Sequence, residues 1–141
     1  IPQIDRFEED GFTREEHKMI HETRKIMGLQ NLPVCATCVR VPVFVGHAMS
    51  VNAEFARPIS LERAATLLAN FPGVVFHRDP EDFPMAADVA ESDDVHIGRL
   101  RIDPSVPNGL VFWIVADNLR KGAATNAVQI AELLHQADRF A

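Results

Sequence analysis

The chain has 141 residues, of which 47% are hydrophobic and 24% charged, and its formal net charge is −6. This composition is typical of a folded globular domain and argues against disorder. An acidic balance disfavours a nucleic-acid binder, which usually carries a basic patch. No apolar run reaches the roughly 18 residues of a membrane span, and the first residues lack signal-peptide features. We therefore expect a single cytoplasmic domain over residues 1–141 with neither nucleic-acid nor membrane partners.

A capping box predicts the first helix. Thr13 can act as the N-cap, and Glu16 follows three residues later. Apolar side chains then recur at helical spacing, and Gly28 suits the C-cap. The pattern predicts a helix over about residues 14–27.

Two strands are predicted next. Residues 38–45 alternate with period two, which predicts a strand whose apolar members are Val39, Val41, Val43 and Val45. Pro42 cannot donate to a ladder, so this strand would lie at an edge or contain a bulge, and Gly46 is a second weak point. A further alternation from His47 to Phe55 predicts another strand.

The rest of the chain predicts a short helix capped by Ser60, three strands, an acidic surface loop over residues 77–94 and a last helix over about 123–136. The three strands cover about 74–76, 95–103 and 110–116. The last of them is apolar at every position, which predicts cover on both faces. Most connections are too short for parallel crossovers. We therefore predict an α+β fold, a mainly antiparallel or mixed sheet with helices packed on it.

Four residues are candidates for chemistry. Glu15 and Lys18 share one helix face, although their spacing alone favours a solvated ion pair. Arg40 can hold a carboxylate by two parallel hydrogen bonds, and a structural Asp or Glu partner explains it equally well. His47 suits acid–base work if it lines a cleft, whereas a histidine on an apolar strand face is more often a core residue. In a flat strand Arg40 and His47 would point to opposite faces, so only a bend would bring them together.

Two further segments are open to more than one interpretation. Cys35-x-x-Cys38 resembles a redox or zinc motif, but a second ligand pair is missing, and small apolar packing explains both cysteines. Residues 117–126 form a polar, glycine-bearing approach to the last helix, where free N–H groups attract anions. A tight turn packed on a neighbouring domain is the alternative. Asn126 is a poor helix former, which suggests a functional side chain.

Several segments together resemble bacterial aspartate-β-semialdehyde dehydrogenases. In chain order they are GFTREEHK at 11–18, TCVRVPV at 37–43, Gly46-His47, VHIGRLR at 95–101 and the long segment at 109–132 that contains DNLRKGAATNAVQIAE. The resemblance implies the C-terminal, substrate-binding and dimerisation domain, with a glyceraldehyde-3-phosphate dehydrogenase-like C-terminal fold. No GxGxxG fingerprint is present, so the nucleotide-binding domain is absent from this chain.

The family resemblance also implies an activity. These enzymes reductively dephosphorylate β-aspartyl phosphate with NADPH, giving aspartate semialdehyde and phosphate on the diaminopimelate route to lysine and on the routes to methionine and threonine. A cysteine of the nucleotide-binding domain forms a thioacyl enzyme. NADP would be bound mainly by that missing domain, on which the last helix would pack, and no metal is expected. We expect a homodimer and an isolated chain that is inactive.

The resemblance assigns a role to five residues. Glu15 would hold the substrate amino group, Lys18 the phosphate and Arg40 the α-carboxylate, while His47 would be the acid–base residue and Asn126 would lie near the nicotinamide. A zwitterionic, phosphorylated substrate does require one anion and two cations. The alternatives are a stand-alone, non-catalytic dimerisation or binding module of the same fold, and a metal protein that uses Cys35, Cys38 and His47.

Overall fold

The computed structural model describes residues 1–137 of a chain that divides into two compact units, Ile1–Pro42 and Val43–Ala141. The prediction of one domain over residues 1–141 includes 138–141, which lie outside the described residues, and it stays a prediction. The helices and strands are α1 (Arg14–Met27), β1 (His47–Glu54), α2 (Leu61–Ala69), β2 (Val74–Phe76), β3 (Val95–Asp103), β4 (Gly109–Ala116) and α3 (Thr125–Gln136). None of the described helices is long and apolar enough to cross a membrane.

In the first unit, the capping box forms as predicted and starts α1. The Thr13 N–H donates to Glu16 Oε2 at 2.8 Å, and the Glu16 N–H donates to Thr13 Oγ1 at 3.3 Å. At the other end, Gly28 adopts the left-handed conformation with φ 66°. Its N–H bonds back to the last turn of α1, so local chemistry sets both ends of this helix.

No strand forms over residues 38–45, so that prediction is wrong. A strand requires a neighbour that offers a matching row of N–H and C=O groups. Within the described residues this stretch has one backbone pairing, between Arg40 and Ile1. Pro42 contributes no N–H, and Val39 and Val41 remain exposed. The valine periodicity therefore lacks both the partner strand and the burial that would make it a strand.

The second unit contains a four-stranded sheet in the order β1-β4-β3-β2. Strands β1 and β3 run antiparallel to β4, whereas β2 runs parallel to β3. The predicted α+β fold with a mainly antiparallel, mixed sheet is confirmed. Helix α2, capped by Ser60, packs across β2 and β3.

Strand β4 is one of the two inner strands of the sheet, but only part of it is covered on both faces. Val115 is fully buried, whereas Phe112, Trp113 and Ile114 remain half-exposed. The predicted surface loop covers one face of the sheet, because the Trp113 indole N–H donates to the Pro84 carbonyl oxygen at 3.0 Å. Buried hydrophobic residues of this unit are Ala64, Ala65, Val89, Ile97, Leu110, Val111 and Val115.

The other face of β1 and β4 carries a partly exposed apolar patch. Met49 pairs with Ile114 and Val51 with Phe112, and residues paired directly across strands share a face. Trp113, one residue along β4, points to the opposite, loop-covered face. One side of the edge strand β1 and the inner strand β4 thus carries four apolar side chains, hereafter the open sheet face: Met49, Val51, Phe112 and Ile114.

Candidate functional site

Glu15 and Lys18 form an ion pair on α1. The Lys18 Nζ donates to both Glu15 carboxylate oxygens, at 3.2 and 3.1 Å. This hydrogen bond to Glu15 raises the pKa of Lys18, so the ammonium form is favoured. Both side chains are partly exposed. They therefore present an anion and a cation together on an accessible helix face.

Arg40 is exposed in the first unit and forms no salt bridge within the described residues. Within the described residues, Arg40 therefore has no structural Asp or Glu partner. Its backbone is fixed, because the Arg40 N–H donates to the Ile1 carbonyl oxygen at 2.9 Å. The guanidinium remains available for a carboxylate ligand.

Glu16 connects the helix of Glu15 and Lys18 to the segment that carries Arg40. Its Oε1 accepts the Cys38 N–H at 2.8 Å, in addition to the capping-box bond on Oε2. Hydrogen bonds from the Thr13 and Cys38 N–H groups lower the pKa of this carboxyl, which keeps it ionised. The sequence predicted only the capping box, because the bond to Cys38 joins groups that no local pattern relates.

His47 is exposed at the first position of β1, so the alternative of a buried core histidine is wrong. Its Nδ1 lies 3.2 Å from the Gly46 carbonyl oxygen. A carbonyl only accepts, so this contact places the proton of the neutral ring on Nδ1. The Nε2 atom is then free to accept a proton, as a general base requires.

The position of His47 depends on Gly46. This glycine has φ 96°, and a Cβ there would lie 3.3 Å from the Ala86 Cβ and 3.4 Å from the Ala116 carbonyl oxygen. Its N–H donates to Asn118 Oδ1 at 2.9 Å. The sequence predicted a possible bend at Gly46 and a polar segment that includes Asn118. It did not predict the hydrogen bond between these two residues.

The polar approach to α3 is capped by a carboxylate. Asp117 is buried, and its Oδ1 accepts the N–H groups of Leu119 and Arg120 at 2.8 and 3.3 Å. Its Oδ2 accepts the Glu91 N–H at 2.8 Å, and these backbone hydrogen bonds lower the pKa of Asp117. The N–H groups expected to attract an anion are thus already bonded to a side chain of the same chain.

A second carboxylate fixes the start of α3. Asp93 accepts two hydrogen bonds from Arg120, at 2.7 and 2.9 Å, and one from the Thr125 hydroxyl at 2.7 Å. Arg120, followed by Thr125, lowers the pKa of Asp93 to about 2. A π-helical segment, Arg120–Ala124, precedes α3, so this helix begins at Thr125 rather than near 123. Asn126 is half-buried in its first turn.

The two cysteines lie in different surroundings. Burial, followed by the Glu16 and Glu15 carboxylates, raises the pKa of the Cys38 thiol, which disfavours the nucleophilic thiolate. Cys35 is exposed, so packing in a core does not explain it. Over residues 1–137, no group of three His, Cys, Asp or Glu side chains is placed to hold a metal ion.

The five predicted site residues fall into two sets. Glu15, Lys18 and Arg40 belong to the first unit, where Glu16 ties together the two segments that carry them. His47 and Asn126 belong to the second unit, at the start of β1 and in the first turn of α3.

Comparison with known proteins identifies relatives. The family described as "Semialdehyde dehydrogenase, dimerisation domain" matches residues 1–121. Aspartate-semialdehyde dehydrogenase of Aquifex aeolicus is 53% identical over 136 residues, which are 95% of this chain and 40% of that protein. This chain therefore spans about 40% of the length of such curated relatives.

Solved structures show the same relationship. Aspartate semialdehyde dehydrogenase II from Vibrio cholerae, in complex with ASA, is 50% identical with a TM-score of 0.92 over 96% of this chain and 40% of its own. Aspartate semialdehyde dehydrogenase with NADP from Candida albicans is 26% identical with a TM-score of 0.78, over 96% of this chain and 44% of its own.

Proposed function

Because this chain belongs to the family of semialdehyde dehydrogenase dimerisation domains, we propose that it is the substrate-binding and dimer-forming part of an NADP-dependent aspartate-semialdehyde dehydrogenase. The observation that carries the proposal is the 53% identity over 136 residues to an enzyme of that name. The complete protein would convert β-aspartyl phosphate to aspartate semialdehyde and phosphate in the cytoplasm. The nucleophilic cysteine and most of the nucleotide site would lie in the part of the protein beyond this chain.

The charges of the first unit support the binding of a zwitterionic phosphorylated substrate. Glu15 accepts hydrogen bonds from the substrate ammonium, Lys18 donates to the phosphate, and Arg40 holds the α-carboxylate in a two-bond fork. In the free protein Glu15 and Lys18 satisfy each other at 3.1 Å. Binding therefore exchanges one exposed ion pair, which contributes little to stability, for pairs with the ligand.

His47 is the proposed acid–base residue. With its Nδ1–H donating to the Gly46 carbonyl oxygen, its Nε2 can take the proton of the thiol that attacks β-aspartyl phosphate and displaces phosphate. It can return that proton to the thiolate that leaves when the reduced thioester releases the aldehyde. The reduced cofactor, NADPH, would supply the hydride that reduces this thioester. Asn126 fits a place beside the cofactor, because its half-buried amide makes no hydrogen bond within the described residues.

The proposal is tested with the complete protein that contains this chain. We expect phosphate-dependent NADP reduction with aspartate semialdehyde, and none from residues 1–141 alone. Arg40→Ala should raise the KM for aspartate semialdehyde by about tenfold or more, since a charge-assisted pair is lost. Arg57→Ala, at an exposed arginine outside the site, is the matched control.

Three results would count against the proposal or one of its residue assignments. Activity of the isolated chain would show that it is not a part that requires a second domain. A complete protein that binds NADP but does not reduce it would favour the non-catalytic binding module. An unchanged KM in Arg40→Ala would remove Arg40 from the substrate site.

A further inference from the structure

We propose that Glu16 is a positioning residue of the substrate site, which sets the distance between the amine-binding and carboxylate-binding groups. The inference rests on the proposed function of Glu15, Lys18 and Arg40. Glu16 is buried at 6% exposure and directs both carboxylate oxygens at backbone N–H groups. It does not touch the substrate, so its effect on the reaction passes through its neighbours.

The bond to Cys38 is not required by helix capping. A capping box needs one carboxylate oxygen, which returns to the N-cap N–H, and Oε2 performs that task at 2.8 Å. The second oxygen, Oε1, reaches the N–H of Cys38, 22 residues further along the chain, also at 2.8 Å. One ionised side chain thus joins the start of α1 to a segment that has no regular secondary structure.

This connection bears directly on the proposed ligand contacts. Glu15 precedes Glu16 on α1, and Arg40 follows Cys38 by two residues. A small substrate held at its ammonium and its carboxylate at once tolerates little error in that spacing. A displacement of about 1 Å can cost on the order of a hundredfold in rate. Over the part of the chain that the structure describes, the segment around Arg40 pairs with no strand, and the Glu16 bond to Cys38 helps to fix it together with the Arg40–Ile1 backbone pair.

Substitutions at either end of the Glu16–Cys38 hydrogen bond distinguish a positioning role of Glu16 from its role in capping α1. Glu16→Gln keeps the shape, but its amide has one acceptor oxygen and turns an NH₂ group toward one of the two N–H donors. Cys38→Pro removes the other partner, the N–H group, and leaves the capping box intact. Thr13→Ala is the matched control, because it removes the hydroxyl that accepts the Glu16 N–H while both carboxylate bonds remain.

In the complete protein, we expect Glu16→Gln and Cys38→Pro each to raise the KM for aspartate semialdehyde about tenfold, with the KM for NADP unchanged. Thr13→Ala should lower the Tm without that rise in KM. Combined with Arg40→Ala, Glu16→Gln should reduce kcat/KM by much less than the product of the single effects, because it acts through Arg40.

The outcomes distinguish this inference from the proposed function. If Arg40→Ala raises the KM while Glu16→Gln and Cys38→Pro do not, Glu16 is only a capping residue and the inference is overturned. The inference is also overturned if the loss of kcat/KM in the Arg40→Ala, Glu16→Gln double variant equals the product of the two single losses. The same holds if Thr13→Ala raises the KM as much as Glu16→Gln does. If Arg40→Ala itself leaves the KM unchanged, the substrate-site assignment fails first. Should Glu16→Gln not fold, Cys38→Pro provides the same test from the other side of the bond.

Discussion

Single residues hold the proposed acid–base group in place. His47 follows a glycine whose positive φ, close contacts and bond to Asn118 leave little room for another residue. The sequence identified His47 as a candidate and Gly46 as a weak point in a strand. It could not reveal that the Gly46 N–H donates to Asn118, because that bond depends on how β1 and β4 align.

Gly46→Ala should affect both stability and catalysis. An alanine Cβ disfavours φ 96° and would meet Ala86 at 3.3 Å, so we expect a loss of about 1–2 kcal/mol in the free energy of unfolding. Because His47 would shift, kcat should fall more than the KM rises. Urea denaturation and steady-state kinetics measure the two effects.

Gly122→Ala is the control for this prediction. It lies in the π-helical segment, where an added Cβ meets only ordinary contact at 3.7 Å from Asn118. Its stability should be unchanged or higher. Equal losses in the two variants would contradict the special role of Gly46.

At the scale of helices and strands, the accuracy of the sequence predictions followed the range of the interactions. Helices α1 and α2 have caps within a few residues of their ends, and both were predicted with their N-caps. The alternation from His47 and the apolar run of β4 were predicted as strands from their pattern, and both form strands because each pairs with the other in the sheet. Residues 38–45 have the same periodicity without a pairing strand, and a periodic pattern does not show whether a partner exists.

A chain of hydrogen bonds joins the end of β2 to the start of β3. His77 Nδ1 lies 3.2 Å from Asp82, His77 Nε2 lies 3.1 Å from His96 Nδ1, and His96 Nε2 lies 3.0 Å from the Ser92 hydroxyl. Donors and acceptors alternate along this chain when both rings are neutral, with Ser92 donating at one end and Asp82 accepting at the other. Protonation of His96 would place a second donor where Ser92 now donates.

Stability should therefore depend on pH through His96. Burial, and then the neighbouring His77, lowers the pKa of His96 from 6.5, against an opposing effect of Asp94. The unfolded chain binds more protons between that lowered pKa and 6.5, so stability rises with pH across this window and is lost as pH falls through it. The difference in urea midpoint between the wild type and His96→Asn should shrink as pH falls from about 7 to 5.

His135→Asn, at an exposed histidine of α3, is the control, and its urea midpoint is measured over the same pH range. A constant difference between the wild type and His96→Asn across the range would show that His96 does not titrate differently in the folded protein.

At the scale of the whole molecule, the sequence predicts a homodimer. The matching family is a dimerisation domain, and the open sheet face of the second unit is partly exposed. Apolar surface on a sheet gains free energy when it is buried, at roughly 25 cal/mol per Å². We propose that two copies of the complete protein associate through this face.

Met49→Asp tests that surface. Met49 is 38% exposed at the open sheet face. An unpaired carboxylate buried there should weaken the dimer by on the order of a hundredfold or more in Kd. Sedimentation of the complete protein should then show monomers at concentrations where the wild type is dimeric. Ser50→Asp, the neighbouring residue on the other face of β1, should remain dimeric; a dimeric Met49→Asp protein would place the interface elsewhere.

The bond between Gly46 and Asn118 spans 72 residues of sequence and so bears on the order of folding. Among residues 1–137, strand β1 pairs only with β4, so on the ribosome it lacks that partner until the chain has been made beyond Ala116. Pairings of such long range are slow to form and leave a strand exposed in the meantime. We therefore expect the histidine proposed for proton transfer to reach its final place in one of the last steps of folding, after the capped helices have formed.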